Sequence, residues 1–172
     1  MDEIVKVDYI KNINWALQKQ SRSGAILYKL HKNKFIFLLG IDTESDNITD
    51  FGGGIKLKYE NPVKGGLREL AEESCGVIGY ISPEEIQDHI VIYNENMMIM
   101  LIHIDFDQEK VVKEFDTRVK SIEKPEVSSL ITINCDQFID LIKGKQLEDR
   151  TMYIKIRELL SAALNKDFIS ML

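Results

Sequence analysis

The stretch at residues 52–77, GGGIKLKYENPVKGGLRELAEESCGV, limits the fold more than any other part of the chain. Three consecutive glycines lead into Asn61-Pro62. Asn is a favoured N-cap, and Pro at the first helical position gives up only an N–H that has no partner there. Gly76 is a natural C-terminal stop. The spacing therefore predicts a helix of about three to four turns behind a glycine loop. At 100° per residue, Val63, Leu67, Leu70 and Ala71 share one arc, which is expected to face the core. Glu69, Glu72 and Glu73 lie opposite, within about 100° of one another, and Arg68 flanks them and reaches Glu72 at i,i+4.

Stability alone does not favour three such carboxylates. Like charges at this spacing repel by a few tenths of a kcal/mol per pair, and carboxylates near a helix C-terminus oppose its dipole. A hard divalent cation reverses the sign, because Mg²⁺ and Mn²⁺ take carboxylate oxygens. The ordinary alternative is a solvated helix face. Gly65 and Gly66 weigh against it, since each costs up to about 1 kcal/mol in a helix interior relative to Ala. Together they indicate a helix pressed against another backbone, such as the glycine loop.

Around this centre the chain mixes strands and helices without regular alternation. Residues 8–20 read as an amphipathic helix on Ile10, Ile13 and Leu17, so residues 1–22 are expected to form a helical extension of one domain. Residues 25–31 and 35–39 are apolar, β-rich runs separated by His31-Lys32-Asn33-Lys34, a hairpin. Residues 48–51 form a short strand into the glycines. A second hairpin joins residues 89–93 to 97–104, and residues 127–133 form a late strand. Asp136 is the expected N-cap of a helix ending before Gly144, and residues 148–164 read as a longer helix. The pattern is α+β: a mixed sheet with helices on its faces.

At 172 residues, the length suits one domain with its own core. The formal charge of −6 disfavours a purely electrostatic grip on nucleic acid, and no DNA partner is expected. No apolar run approaches the length of a membrane span, and the charged N-terminus lacks the apolar core of a signal peptide. Cys75 and Cys135 have neither zinc spacing nor enough company for a disulfide framework. An intracellular, cytoplasmic protein is the expectation. His31, His89 and His103 are singletons, and Met97, Met98 and Met100 read as strand packing.

Gly54, Glu60, Arg68-Glu69-Leu70 and Glu72-Glu73 match, in identity and spacing, the motif G-x5-E-x7-R-E-U-x-E-E-x-G-U of the Nudix hydrolases, with U aliphatic. The chain resembles that family over residues 53–76 at motif grade, and elsewhere in its order of elements. It departs in three places. Ser74 and Cys75 precede Gly76 where one residue is usual, Phe51 stands where many members carry Pro, and Tyr59 replaces a frequent Gly. The first departure falls after the last carboxylate and leaves the register of the acidic face intact.

The resemblance implies an α/β/α sandwich and metal-dependent hydrolysis of a diphosphate linkage in a nucleoside diphosphate-linked substrate. It implies Mg²⁺ or Mn²⁺ held by Glu69, Glu72 and Glu73 with the Gly54 carbonyl, and structural roles for Gly53 and Glu60. Arg68 is placed beside the chemistry as an orienting partner. The general base is assigned first to Glu126, at the start of the late strand, then to Glu69, with Glu123 and Glu114 in reserve. Tyr28, Phe35 and Tyr93 are candidates for stacking a base. The approach ITDFGGGIK and the Lys/Ile/Asn-rich composition resemble viral decapping-type members. Capped RNA is therefore the alternative substrate, with Lys143, Lys145, Arg150, Lys155 and Arg157 as a candidate RNA surface. A non-catalytic binding module of the same fold is the reading from another class; the intact glutamates argue against it.

Overall fold

The computed structural model describes residues 4–172. Its centre is an eight-stranded mixed sheet, and four α-helices cover the faces. The strands are β1 (Lys6–Tyr9), β2 (Arg22–His31), β3 (Lys34–Asp42), β4 (Ile48–Thr49), β5 (Phe51–Gly54), β6 (Ile90–Tyr93), β7 (Met97–His103) and β8 (Val127–Asn134). The helices are α1 (Pro62–Glu73), α2 (Gln108–Val119), α3 (Cys135–Ile142) and α4 (Ile154–Leu164). The main path runs β1-β6-β7-β2-β3-β4, with β5 on β2 and β8 on β3.

Strand β2 organises the sheet. It runs parallel to β7 along Arg22 to Tyr28. On its other edge the first residues pair with β5 and the last with β3. The sheet thus forks at the middle of β2, and the fork delivers the three glycines beside Arg22, Ser23 and Gly24. The β2–β3 hairpin turns on Lys32 and Asn33, both with positive φ (52° and 62°), as a two-residue hairpin turn of matching twist requires.

Side chains alternate between the two faces. Ile26, Tyr28, Phe37 and Leu39 face one layer with Phe138, Ile156 and Leu160 of α3 and α4. Ala25, Leu27 and Leu38 face the other with Val63 and Leu70 of α1 and Phe115 of α2. The result is an α/β/α sandwich. Met98 and Met100 pack in the α1 layer and Met97 in the opposite one, as strand-packing residues.

Several elements differ from the expectation. No α-helix forms over residues 8–20. Lys6 to Tyr9 pair with Tyr93 to Ile90 on the sheet edge, and the chain then makes single 3-10 turns at Ile10–Asn12 and Trp15–Leu17. The open edge of β6 and the β-branched Val5 and Val7 outweigh the helical spacing of Ile10, Ile13 and Leu17, and Leu17 is 73% exposed. The helical extension expected over residues 1–22 is thus a strand and two turns within the described residues; residues 1–3 lie outside them.

The segment at 48–51 splits at Asp50 into β4 and β5. The last long helix starts at Ile154 rather than at residue 148. Glu148 and Asp149 are left-handed, and Met152 bridges Ile48 in an extended stretch. The N-cap of α3 is Asn134, not Asp136, in a capping box with Gln137. Helix α2 was not anticipated; Asp107 caps it, accepting from the Lys110 N–H, and Val111 and Phe115 bury its inner face. Among the described residues, no helix is long and apolar enough to cross a membrane.

Candidate active site

Helix α1 begins as expected, with the Asn61 side chain accepting from the Lys64 N–H. Val63, Leu67 and Leu70 are buried, but Ala71 is exposed. Gly66 lies where a Cβ would come within 2.4 Å of Ser23 Oγ and 2.5 Å of Met100 Cε, so the helix sits directly on β2 and β7. Gly65 faces the side chains of Ile55 and Glu60. The two glycines therefore admit neighbouring side chains rather than another backbone. With the contact axis through Gly66 and Leu70, Glu69 and Glu73 fall at the edge of the buried arc and Glu72 swings outward. This explains why Glu69 is 9% exposed while the Glu72 side chain is 57% exposed.

On the loop side the charges neutralise one another. Arg68 donates from Nε and Nη2 to Glu60 at 3.0 and 2.7 Å, and from Nη1 to Glu69 at 3.0 Å and Glu72 at 3.3 Å. Its Nη2 also donates to the Gly54 carbonyl at 3.0 Å. Glu60 accepts in addition from the Lys56 N–H at 2.9 Å, and Arg68 holds its carboxyl below the usual range. This network ties the box loop, residues 55–60, to α1. The Gly54 carbonyl, which the resemblance assigned to a metal shell, is engaged by Arg68.

On the sheet side Glu69 alone of three clustered carboxylates has an ion-pair partner, Arg68. One carboxylate oxygen each from Glu69, Glu73 and Glu126 lies within 4.8 Å of the other two. Glu126 arrives from the start of β8, where Asp42 pairs with Val127 and the Thr43 N–H donates to the Glu126 carbonyl at 2.9 Å. Glu73 Oε1 accepts from the Gly52 N–H at 2.9 Å. Burial pushes the Glu73 carboxyl up to about 9, with added repulsion from Asp50, Glu69 and Glu126. Burial also raises Glu69, against the pull of Arg68. Glu72, expected among the ligands, is not part of this trio; it stays with Arg68 at the outer rim.

Two residues of the site carried no signal in the sequence reading. Asp50 is fully buried and is gripped by Arg22 through two hydrogen bonds, at 2.6 and 3.0 Å. The glycines make room for this. A Cβ on Gly24 would stand 2.1 Å from Asp50 Oδ2, and one on Gly53 would stand 2.7 Å from the Glu69 carboxylate. The signal was the β2–β5 pairing itself, which sets Arg22 opposite Gly54 across a sequence separation that no local spacing reveals.

A cavity of about 230 Å³ holds Glu69, Glu72, Glu73 and Glu126. It shares Glu73, Lys124, Pro125 and Glu126 with a larger one of about 690 Å³, whose wall includes Arg22, Asp50 and Tyr153. Tyr153 is thus the aromatic side chain beside the carboxylates, and it was not anticipated. Tyr28 is in the core, stacked on His103 with ring centroids 5.0 Å apart, and Phe35 packs edge-on against it. Tyr93 is half-buried, away from both cavities. Glu114 lies on α2, beside a different cavity with Lys29 and Phe106, and Glu123 is exposed and lines neither site cavity. Lys145 pairs with Asp140, and Arg150 with Asp46 and Glu148. The additional residue after the box is absorbed by Cys75 at φ 55°, and Gly76 follows at φ 68°. Cys75 and Cys135 are free thiols.

The donor set fits a hard divalent cation: three clustered carboxylates, of which only Glu69 has a cationic partner, Arg68, and one of which is strongly reluctant to ionise alone.

No family model matches the chain, and no curated protein matches its sequence. Solved structures do resemble it. A C. elegans Ap4A hydrolase binary complex superposes at TM-score 0.50 and 13% identity, covering 88% of this chain and 98% of that one. The NUDIX domain of Shewanella oneidensis NrtR complexed with ADP ribose gives TM-score 0.47 and 14% identity, with 87% and 91% covered. A mutT/nudix family protein from Listeria innocua gives 0.43 and 11%, with 88% and 98% covered. At 13% identity the first likeness is one of fold, and with the sheet and helix layers it makes the chain an α+β, Nudix-like sandwich.

Proposed function

We propose that the protein is a metal-dependent Nudix pyrophosphohydrolase that cleaves the diphosphate linkage of a nucleoside diphosphate-linked substrate. The observation that carries this reading is the trio of Glu69, Glu73 and Glu126, with Arg68 on Glu69 as its one ion pair, half-enclosed beside a cavity large enough for a nucleoside. Glu69, Glu73 and Glu126 would hold Mg²⁺ or Mn²⁺, with Glu72 at the rim. When bound, the ion screens the carboxylates from the anionic substrate and polarises the phosphoryl oxygens.

The chain's own groups do the rest. Gly52 fixes Glu73 through its N–H. Arg68 and Glu60 hold the loop against the helix so that the carboxylates keep their spacing. Glu126, anchored by β8, takes the proton of the attacking water on a carboxylate oxygen. The water oxygen bonds to phosphorus, the bridging P–O bond breaks, and the bridging oxygen leaves on the second phosphate. Arg22, fixed by Asp50, and Tyr153 line the space where the rest of the substrate lies.

Capped RNA offers the same phosphoanhydride and remains the second substrate class. A product screen with Mg²⁺ and Mn²⁺ tests the reading. Its substrates are dinucleoside polyphosphates, nucleotide sugars, diphosphoinositol phosphates and capped RNA. Hydrolysis of one class, abolished by chelation, is the expected result; no turnover on any of them with either metal overturns it.

A further inference from the structure

The cavities at the carboxylate site are acidic, as is the one beside α2. The larger site cavity has Arg22 and Lys124 against Asp42, Glu44, Asp50, Glu73 and Glu126, and the α2 cavity has Lys29 and Lys110 against Asp105, Asp107 and Glu114. A fourth groove, of about 600 Å³, has the opposite balance. It lies between the 3-10 turn at Trp15–Leu17 and the box loop, and Trp15, Lys19, Leu57, Tyr59 and Lys64 line it. Its one carboxylate, Glu60, is already neutralised by Arg68. The N-terminal turn of α1, at Asn61 and Pro62, forms one edge and adds the positive end of a helix dipole.

The groove also exposes aromatic surface. Tyr59 is 79% exposed and Leu57 52%, in a loop that the Lys56–Glu60 hydrogen bonds hold in a tight turn. The Trp15 indole is oriented by its Nε1, which donates to the Ile10 carbonyl at 3.1 Å. Lys58 Nζ stands over the Tyr59 ring at 5.6 Å from its centroid, outside the groove wall. Oriented aromatic rings with flanking lysines are what a base and its phosphate need together: a flat surface for stacking and a cation for the anion. In a molecule of net charge −6 this combination stands against the prevailing field, and it abuts the loop that carries the site.

We infer that the groove between Trp15 and Tyr59 binds a nucleotide unit, its base on the two rings and its phosphate on Lys19 and Lys64. It is a second subsite, separated from the carboxylates by the Glu60–Arg68 lock, for the part of a substrate that continues beyond the cleaved linkage. The second nucleoside of a dinucleoside polyphosphate and the leading nucleotides of an RNA chain share this chemistry. The inference rests on the proposed hydrolysis only in the choice of ligand, and it is tested without hydrolysis.

Trp15 is the single tryptophan of the chain, so its fluorescence reports the groove directly. In EDTA, the protein is titrated with a dinucleoside polyphosphate and, separately, with a short single-stranded oligoribonucleotide. Saturable quenching by at least one is expected, and the ligand that quenches identifies the source. Tyr59→Ala, and separately the pair Lys19→Glu and Lys64→Glu, should weaken that binding at least tenfold. Because these residues are exposed, both variants should keep the melting temperature of the parent. No quenching by either ligand, or quenching unchanged in both variants, overturns the subsite. Quenching that persists in a protein inactive on every substrate overturns the hydrolase reading and leaves the groove standing.

Discussion

The two flanks of helix α1 carry the same residue types and treat them in opposite ways. Toward the box loop, Glu60, Arg68 and Glu72 form a closed network in which each carboxylate has a guanidinium partner. Toward the sheet, Glu69, Glu73 and Glu126 converge, and only Glu69 touches a cation. The first arrangement is what stability selects, because a partly buried carboxylate beside Arg keeps its charge at little cost. The second is costly: burial, with repulsion from Asp50, Glu69 and Glu126 added to it, holds the Glu73 carboxyl up at about 9. Repulsion held in place by a backbone N–H and a strand end is tolerable when something outside the chain relieves it.

The contrast is broken most directly by removing charge from the repelling side. Glu73→Gln is expected to lower kcat at least about a hundredfold, about 2.7 kcal/mol in the barrier, without lowering the metal-free Tm. Near-parent turnover at saturating Mg²⁺ would show the trio to be inert. Glu126→Gln should cost about tenfold or more in kcat, whereas Glu123→Gln, exposed and outside the cavities, should leave it unchanged. The reverse pattern places the base wrongly and leaves the carboxylate cluster intact.

The neutralised side should answer in stability instead. Arg68→Leu strands Glu60 and frees the box loop, so about 1–3 kcal/mol and several degrees of Tm are expected to be lost. An unchanged melting curve would deny the lock. A smaller effect follows from pH. In metal-free protein, Glu73 keeps its proton up to about 9, while the unfolded chain releases it near the ordinary 4.5. The native state binds more protons between those values, so stability falls as pH rises through that window. Glu73→Gln should flatten the slope, and millimolar Mg²⁺ or Mn²⁺ should raise Tm most at the upper end. The smallest change expected is for Glu72→Gln, less than tenfold in kcat, because Glu72 stands outside the trio. A loss as large as that of Glu73→Gln would restore it to the ligand set.

What the sequence disclosed follows the range of its signals. The Asn61-Pro62 start and the spacing from Arg68 to Glu73 are local, and the structure has them as expected; the three glycines, read as a loop, instead lie in β5, because β2 offers them an edge to pair with. The resemblance pointed to Glu126 at the start of the late strand, and the structure has its carboxylate near Glu69 and Glu73. Arg22 and Asp50 were not, because they meet only when β5 pairs with β2. The division of the three glutamates into two inward and one outward was also hidden. It depends on the axis along which Gly66 touches Ser23 and Met100, and helical spacing alone does not supply that axis. The failed helix at residues 8–20 has the same origin: an unfilled sheet edge decided the conformation of a segment whose own spacing allowed either. Helix α2 was overlooked although the Asp107 cap and the Val111, Phe115 pair were present, obscured by its charged outer face.

The space that Gly24 yields to Asp50 has a consequence for how this sequence can drift. With Asp50 Oδ2 at 2.1 Å and the Gly52 Cα and Phe51 carbonyl oxygen at 2.8 Å from the missing Cβ, alanine at position 24 is inadmissible whatever stands at 50, and Asp50 in turn is tolerable in the interior only while Arg22 grips it. Position 24 is therefore held to glycine, while positions 22 and 50 are bound to change as a pair. In related sequences, glycine at 24 should persist even where 50 is small or neutral, and loss of the aspartate should arrive together with loss of arginine at 22, with intermediates along that path scarce.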